Sequence, residues 1–417
     1  MNSSGAVEDK TASLIEEISE QLASKLPTKP RAIVLTGSFA RNEGSVLLAS
    51  NRFRVLGDME FMVVFPTGVA RGPLQVSLDQ QAKQLKEEFA SRGTDCDLEF
   101  RAITSEYFYA LRPQIFGYEL LVHGQTVWGD PSVLSVIQKF SREAIPRWDA
   151  WRMLHNRIIE QLEWFDQSTA CPDKVLRLHY QIIKCYLDLA TTLLIFAGKY
   201  EDTYASRSVA LSKWADEAGA YRGLEFLPEL ARRVKACTAF KLDPNTSAMP
   251  LGVRFQFEDT ELLSSDLRRA VLELVPLLRQ IWRWEAAMLA RISNAADETD
   301  ESLQTAVLRS QPIAEKLRGW ARLALMPTLR RERGFFSNFS RLALQGSPRY
   351  LVYAVAAPLY FKLPALVSDQ LTEDALTRSD RLLPIRFEDS KNESRAWWRL
   401  RREVLTGYRV FLRNHFA

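Results

Sequence analysis

Acidic side chains stand at alternate positions in two short segments of this chain that otherwise read as strands. In the first, Asp58 and Glu60 open an apolar run that ends at Phe65. In the second, Asp97 and Glu99 alternate with apolar residues. Because side chains alternate between the two faces of a strand, each pair projects from one face, roughly 6.5–7 Å apart along the chain. Two such faces side by side need a neutralising cation, and carboxylates are hard oxygen ligands that suit Mg²⁺.

A Gly-Ser turn precedes the first acidic segment. Gly37 and Ser38 follow an apolar run, residues 32–35, that is typical of a buried strand. Gly37 lets the backbone approach a ligand closely, and the Ser38 hydroxyl and neighbouring amides could hold phosphate oxygens. Arg41 could add a bidentate phosphate contact, and a structural role is an equal alternative for it.

The elements that must position these residues alternate between helix and strand only at the start of the chain. Apolar spacing predicts helices over 8–26 and 74–89, strands at 32–35, 58–65 and 95–103, and a helix leading into a short edge strand near 116–130. The polar stretch 39–56 is predicted to be a long loop. From residue 141 onward the pattern is helical throughout. The fold class predicted is therefore α+β, with an N-terminal mixed-sheet domain, an all-α helical bundle and a further helical C-terminal region.

The predicted domain bounds are 1–140, 141–296 and 302–417, separated in the last case by the acidic stretch 294–301. Residues 301–417 contain 17 Arg and 3 Lys against 11 acidic residues, a net charge of +9, whereas the whole chain carries +4. Solvated arginine-rich helix faces are the favoured explanation of this asymmetry, and an anionic partner for the C-terminal region is the alternative.

Several functional classes are disfavoured by the composition. The four cysteines are scattered without a CxxC motif, which predicts buried free thiols and argues against zinc. The first residues do not resemble a signal peptide. The longest apolar run, 350–361, is too short to span a bilayer and contains Pro358. A cytoplasmic protein is expected, with 350–361 as a buried core helix in preference to a membrane-surface segment.

The ordered motifs resemble the DNA polymerase β-like nucleotidyltransferase superfamily. The chain reads Leu35-Thr36-Gly37-Ser38, then Asp58-Met59-Glu60-Phe61, then a strand that offers Cys96-Asp97-Leu98 or Leu98-Glu99-Phe100. Within that superfamily it is most similar to the bacterial small-molecule adenylyltransferases of the aminoglycoside type. The specific likeness covers about residues 30–130, and the helical part near 184–211 is a looser match.

The resemblance implies an enzyme. Asp58, Glu60 and Glu99 would bind two Mg²⁺ ions, with Asp97 as the alternative third carboxylate, which could also act as the base. Gly37, Ser38, Arg41 and, from the helical region, Lys184 would hold ATP or another NTP. The expected reaction transfers AMP to a hydroxyl group of an unidentified small molecule or saccharide and releases pyrophosphate. A structural role is an equal alternative for Lys184, and is favoured for Tyr204 and Arg207, which could also line the cleft.

Two alternatives stay open. One is an enzyme of the same superfamily that makes oligonucleotide second messengers or modifies a protein or an RNA. The other is a catalytically silent nucleotide-binding scaffold whose C-terminal region docks on a partner or a membrane. The chain departs from the family pattern at Asn42, where glycine is commoner, at Gly57, where serine is usual, and in an insertion at about 44–54. The oligomeric state is left undetermined.

Overall fold

The computed structural model describes residues 3–49, 52–165, 172–218, 223–252, 260–326, 335–372, 376–386 and 396–413. The predicted α+β class is confirmed, and 66% of the structure is helical. Two compact units are formed by discontinuous parts of the chain. Unit 1 comprises Met1–Asp149, Gly198–Ser212 and Arg233–Pro250, and unit 2 comprises Ala150–Ala197, Lys213–Arg232 and Leu251–Ala417. The three-part division by residue number stays a prediction.

Unit 1 contains a five-stranded sheet. Its strands are β1 (Ala32–Thr36), β2 (Val46–Ala49), β3 (Arg52–Phe65), β4 (Thr94–Thr104) and β5 (Gln125–Gly129). Strand β1 is antiparallel to both β3 and β5, β2 is antiparallel to β3, and β4 is parallel to β3. Because β4 lines one edge of β3, β1 and β2 share its other edge. Among the described strands, β3 is thus the only one that pairs with three others.

Helices cover both faces of this sheet. They are α1 (Ser3–Lys25), α2 (Gly37–Ala40), α3 (Arg71–Ser91), α4 (Glu106–Tyr109) and α5 (Ile115–His123). One face packs on α1 and α3 through side chains such as Ile18, Met59 and Leu78, and the other packs on α4 and α5 through Met62 and Phe108. Alternation along β3 sends Met59 to the first face, so Asp58 and Glu60 belong to the second.

The remaining described elements are helical. They are α6 (Arg147–Phe165), α7 (Pro172–Phe196), α8 (Tyr204–Ala218), α9 (Leu227–Leu242), α10 (Thr260–Ala290), α11 (Asp300–Ser310), α12 (Ile313–Ala324), α13 (Phe335–Leu342), α14 (Pro348–Phe361), α15 (Leu363–Val367), α16 (Thr377–Arg381) and α17 (Ala396–Arg413). Helix α14 contains the long apolar run, and ten of its 14 residues are buried in unit 2. This confirms the interpretation of 350–361 as a core helix.

The prediction of one long loop over 39–56 is wrong. Strand β2 and the first part of β3 form an antiparallel ladder there, with Val46 opposite Val55 and Leu48 opposite Phe53. Phe53 and Val55 alternate with Arg52 and Arg54, so one face of this ladder joins the hydrophobic core while the other carries charge. The insertion is therefore an extension of the sheet.

Two further predictions can be compared with the structure. Cys96, Cys185 and Cys237 are buried free thiols, as predicted, and Cys171 lies outside the described residues. In the part of the chain that the structure describes, every helix is too short or too polar to cross a membrane.

Candidate functional site

The four acidic residues form two rows across neighbouring strands. In the parallel pairing of β3 with β4, Asp58 lies opposite Asp97 and Glu60 lies opposite Glu99. Residues paired in this way point to the same face, so all four carboxylates share it. With strands about 4.8 Å apart and a two-residue step of about 6.5 Å, their Cα atoms outline a small patch on the sheet. Like charges placed directly opposite one another destabilise a sheet unless they are neutralised.

The path of β3 changes just before this patch. Between Arg54 and Asp58 the strand takes four steps while β4 takes two, from Asp95 to Asp97, so a bulge precedes Asp58. Bulges bend a strand and re-aim its side chains. On the opposite edge of β3, β1 pairs from residue 60 onward and β2 pairs up to residue 55. The segment 37–45 passes along the gap between them, where the Leu56 amide donates to the Ser45 carbonyl.

Gly37 lies directly against Glu60. It has a φ of +67°, and a Cβ atom added there would lie 2.9 Å from Glu60 Oε2. Both its left-handed conformation and this close approach require glycine. Thr36 is the β1 partner of Glu60, and its hydroxyl donates to the Glu60 carbonyl at 3.3 Å. The predicted phosphate turn and the predicted metal ligands are thus brought together.

Cations of unit 1 already contact two of the four carboxylates. Lys86 of α3 forms an ion pair with Asp97, and Arg101 pairs with Glu99 at 2.7 Å. These side chains are one-third to one-half exposed, so each ion pair is solvated and contributes little stability. The choice between Asp97 and Glu99 as third carboxylate stays open.

The carboxylates suit a divalent ion in chemical type. They are hard oxygen donors in register on adjoining strands, and the Glu60 carboxylate can lie against Gly37 only because that residue has no Cβ. Within the described ranges, no three His, Cys, Asp or Glu side chains are already converged on a common metal position. Side-chain rotation on the fixed strands would therefore have to complete the ligand set.

A lysine that the sequence interpretation missed lies at the Gly-Ser turn. Lys241, in the last turn of α9, is 4% exposed, and its ammonium group donates to Ser38 Oγ at 3.3 Å. The Ser45 hydroxyl donates to the Lys241 carbonyl at 2.6 Å, which ties α9 to the end of the same loop. In the sequence, Lys241 looks like an ordinary basic residue at the end of a helix. Its 203-residue separation from Ser38 hides the contact.

Arg41 lies in a buried ion-pair network. Its guanidinium binds Glu43 at 3.2 Å and Glu119 at 2.6 Å, and its side chain is 3% exposed. Glu119 also accepts hydrogen bonds from Arg207 at 2.6 Å and from the Tyr200 hydroxyl at 3.3 Å. Burial alone would raise the pKa of Glu119, but Arg41 and Arg207 outweigh it and hold that pKa below its usual range. A phosphate contact by Arg41 would have to compete with these carboxylates and stays a prediction.

The same network fixes the start of α8 in unit 1. Glu43 accepts hydrogen bonds from the backbone amides of Tyr204 and Ala205 at 3.0 and 3.1 Å. A carboxylate at this position caps the helix and interacts favourably with its dipole. The Tyr204 ring lies 4.9 Å from the Arg41 guanidinium and 5.9 Å from Lys241 Nζ. The loop that begins at Ser38 is therefore anchored at both ends.

The other sequence-predicted residues fall in two places. Arg207 is 2% exposed and committed to Glu119, Tyr200 and backbone carbonyls, which agrees with the structural role favoured for it. Lys184 is partly buried on α7 in unit 2, and its nucleotide contact stays a prediction. Asn42 adopts a φ of 58°, a left-handed conformation that asparagine tolerates better than most residues.

Comparison with known proteins finds no relative of this chain. No protein-family model, no curated protein and no solved structure matches this chain. The function is therefore inferred from the residues of the site.

Proposed function

We propose that unit 1 is a Mg²⁺-dependent nucleotidyltransferase domain. The observation that carries the proposal is the register of β3 and β4, which aligns Asp58 with Asp97 and Glu60 with Glu99 beside the Gly37 turn. The chain would be an enzyme that moves a nucleoside monophosphate, AMP from ATP in the first instance, onto a hydroxyl group of a small molecule or saccharide. Unit 1 would correspond to the predicted N-terminal catalytic domain, with helical regions following it.

Some of these residues would bind phosphate, and others would bind metal. The Gly37 backbone, the Ser38 hydroxyl and the Lys241 ammonium would hold the β- and γ-phosphates, where charge-assisted hydrogen bonds are strongest. Asp58, Glu60 and one of the β4 carboxylates would bind Mg²⁺, which when bound neutralises the triphosphate and the leaving pyrophosphate.

The acceptor oxygen would form a bond to the α-phosphorus while the bond from that phosphorus to the β-phosphate bridging oxygen breaks. The hydroxyl proton would pass to the β4 carboxylate that does not bind metal, Asp97 or Glu99. Lys86 and Arg101 would have to release these carboxylates, and because both ion pairs are solvated, the cost of release is small. Glu119 and Arg41 would stay in place as the support of the 37–45 loop.

The test is nucleotide transfer by the full chain. The protein is incubated with Mg²⁺ and each α-labelled NTP, with and without a panel of aminoglycosides and mono- and oligosaccharides. Pyrophosphate release and labelled products are followed together. Asp58→Asn is expected to lose transfer by a factor of about 10³ or more while keeping its fold, because it removes a proposed metal ligand. Asp79→Asn is the matched control, since Asp79 is exposed on α3 and contacts Gln75.

Three results would decide against this reaction in different ways. Wild-type rates in Asp58→Asn would refute the site assignment. Labelled oligonucleotides made without an acceptor, or label on added protein or RNA, would favour the second-messenger or macromolecule-modifying alternative. Binding of Mg-ATP without pyrophosphate release under any acceptor would favour the silent scaffold. The ion pairs of Asp97 with Lys86 and Glu99 with Arg101 are the observation that keeps the scaffold in consideration, because they neutralise part of the acidic patch without metal.

A further inference from the structure

Helix α12 of unit 2 is anchored along one face and exposes aliphatic side chains beside it. Its inner face buries Lys316, Trp320 and Leu323. The Trp320 indole donates to the Gly346 carbonyl at 3.0 Å, and the Lys316 ammonium donates to the Leu344 carbonyl at 3.0 Å. These buried hydrogen bonds fix the rotation of the helix, so the identity of its outward residues follows from the packing.

The outward residues include large aliphatic side chains. Ile313 is 64% exposed, Leu317 one turn later is 45% exposed, and Leu325, directly after the helix, is 81% exposed. At about 100° per residue these three span about 120° of the helix circumference. Leu344, whose carbonyl binds Lys316, is 73% exposed. We call these four residues the α12 patch. An exposed apolar stripe beside the packed face of a helix is typical of an interaction surface.

Arginines border the α12 patch. Arg318 and Arg322 lie on the next part of the helix circumference, and both are exposed. Arg318 pairs with Glu315 on the surface, where such an ion pair is weak and exchanges readily. The region from residue 301 to the end carries a net charge of +9. Aliphatic residues flanked by arginines on a helix surface suit the boundary between headgroups and acyl chains of an anionic bilayer.

We propose that the α12 patch is a peripheral docking surface for an anionic lipid membrane. The four aliphatic side chains would enter the headgroup boundary, and Arg318 and Arg322 would contact lipid phosphates. A nucleic acid is the poorer occupant, because it would leave the aliphatic side chains without an apolar partner, and base stacking uses aromatic side chains. This inference does not depend on the proposed transfer reaction.

A second copy of the chain is also the poorer occupant. A two-fold contact places the same patch against itself, so it would bring arginines opposite arginines. Stable protein interfaces also use about 20–30 residues on each side, whereas the α12 patch has four apolar residues. One helix entering a fluid, negatively charged surface needs neither a large complementary area nor charge reversal.

The experiment uses flotation of the full chain with lipid vesicles. Vesicles of phosphatidylcholine alone are compared with vesicles of equal parts phosphatidylcholine and phosphatidylglycerol. Binding is expected to the anionic vesicles only, and to fall steeply between about 0.1 M and about 1 M salt, as the screening length shortens from about 10 Å to about 3 Å. A single-stranded RNA and light scattering without vesicles test the two other occupants.

Two double variants separate the apolar and charged contributions. Leu317→Ser with Leu325→Ser should weaken vesicle binding at least about tenfold, because two aliphatic side chains leave the acyl boundary. Arg318→Gln with Arg322→Gln should weaken it about 25-fold, at roughly fivefold for each charge. Val76→Ser with Val209→Ser is the matched control, since these exposed valines, 58% and 69% accessible, lie on unit 1.

Four outcomes would overturn the proposal. They are the absence of wild-type binding to anionic vesicles, equal binding to neutral vesicles, anionic binding that the α12 variants leave unchanged, and equal loss of binding in the valine control. If the wild type does not bind vesicles but binds RNA or self-associates, and the α12 variants lose that property, the surface would be assigned to a nucleic acid or to a second copy of the chain. The variants change exposed positions, and unaltered circular dichroism spectra would show that they keep the fold.

Discussion

Glu285 is completely buried in α10, and among the described residues neither of its carboxyl oxygens has a hydrogen-bond partner of good geometry. The Thr192 hydroxyl interacts with the carboxyl group but donates to the Leu189 carbonyl at 3.1 Å. Burial raises the pKa of Glu285 to about 8 from an ordinary value of 4.5, with Thr192 opposing this effect. The folded protein therefore keeps this carboxyl protonated at neutral pH.

The consequence is a loss of stability as the pH rises. The unfolded chain releases the proton above about pH 4.5, while the folded chain holds it until about pH 8. The favourable contribution of the folded state is thus complete below about pH 4.5 and declines as pH rises towards 8. At about 1.4 kcal/mol for each tenfold change in the protonation equilibrium, the decline is about 5 kcal/mol in all, and about 2–3 kcal/mol of it falls between about pH 5 and about pH 7.

Glu285→Gln tests this reasoning because the amide keeps the shape of the carboxyl group and cannot ionise. The variant should gain about 2–3 kcal/mol relative to wild type between about pH 5 and about pH 7, with a plateau above about pH 8. Urea unfolding followed by tryptophan fluorescence is the assay. Of the ten tryptophans only Trp128 and Trp148 belong to unit 1, so the signal reports mainly on unit 2.

The matched control is Glu273→Gln on the same helix. Glu273 is exposed, so Glu273→Gln makes the same change of side chain on α10 without altering a buried carboxyl group. A constant difference between Glu285→Gln and wild type over the same range would refute the argument. It would mean that water or relaxation of α10 hydrates the carboxylate in the folded state.

Three other predictions concern the two units. Burial lowers the pKa of His155 to about 4, and its neutral ring accepts a hydrogen bond from Trp282. Its contribution of about 3 kcal/mol to the free energy of unfolding should therefore be lost as the pH falls from about 6.5 to 4. In His155→Gln this decline at acid pH should disappear. Glu119→Gln should destabilise unit 1 by about 3–5 kcal/mol, because it leaves the buried Arg207 guanidinium without a carboxylate and Arg41 with Glu43 alone, and amide hydrogen exchange in α5 should rise accordingly. Lys241→Gln should weaken Mg-ATP binding in calorimetry by about tenfold or more through loss of a charged hydrogen bond, and unchanged affinity would remove that residue from the phosphate site.

Local periodicity in the sequence predicts many of the helices and strands. The alternation of residues 95–103 predicted a strand with an acidic face, and β4 has that face, with its aligned partners on β3. The strand formed by 52–56 was equally readable, since Phe53 and Val55 alternate with arginines, but the polar residues before it favoured a loop. Pairing with β2 supplies the backbone hydrogen bonds that make this segment a strand.

The partners of the charged residues could not be predicted in the same way. Arg41, whose phosphate contact stays a prediction, contacts Glu119, 78 positions away, because a buried guanidinium requires carboxylates and only the folded chain determines which are near. Lys241 contacts the Ser38 turn because the fold brings the end of α9 to it, and no pattern in the neighbouring sequence indicates this contact.

The sequence by itself determined the acidic strands and the glycine of the turn, because alternation and conformational freedom are properties of neighbouring residues. Tertiary structure alone decided that Glu60 lies against Gly37, that Lys241 joins Ser38, and that α12 presents leucines outward. These are contacts between distant segments or choices between two apolar helix faces. Such contacts depend on how the whole chain excludes water, and they leave no pattern in any one stretch of sequence.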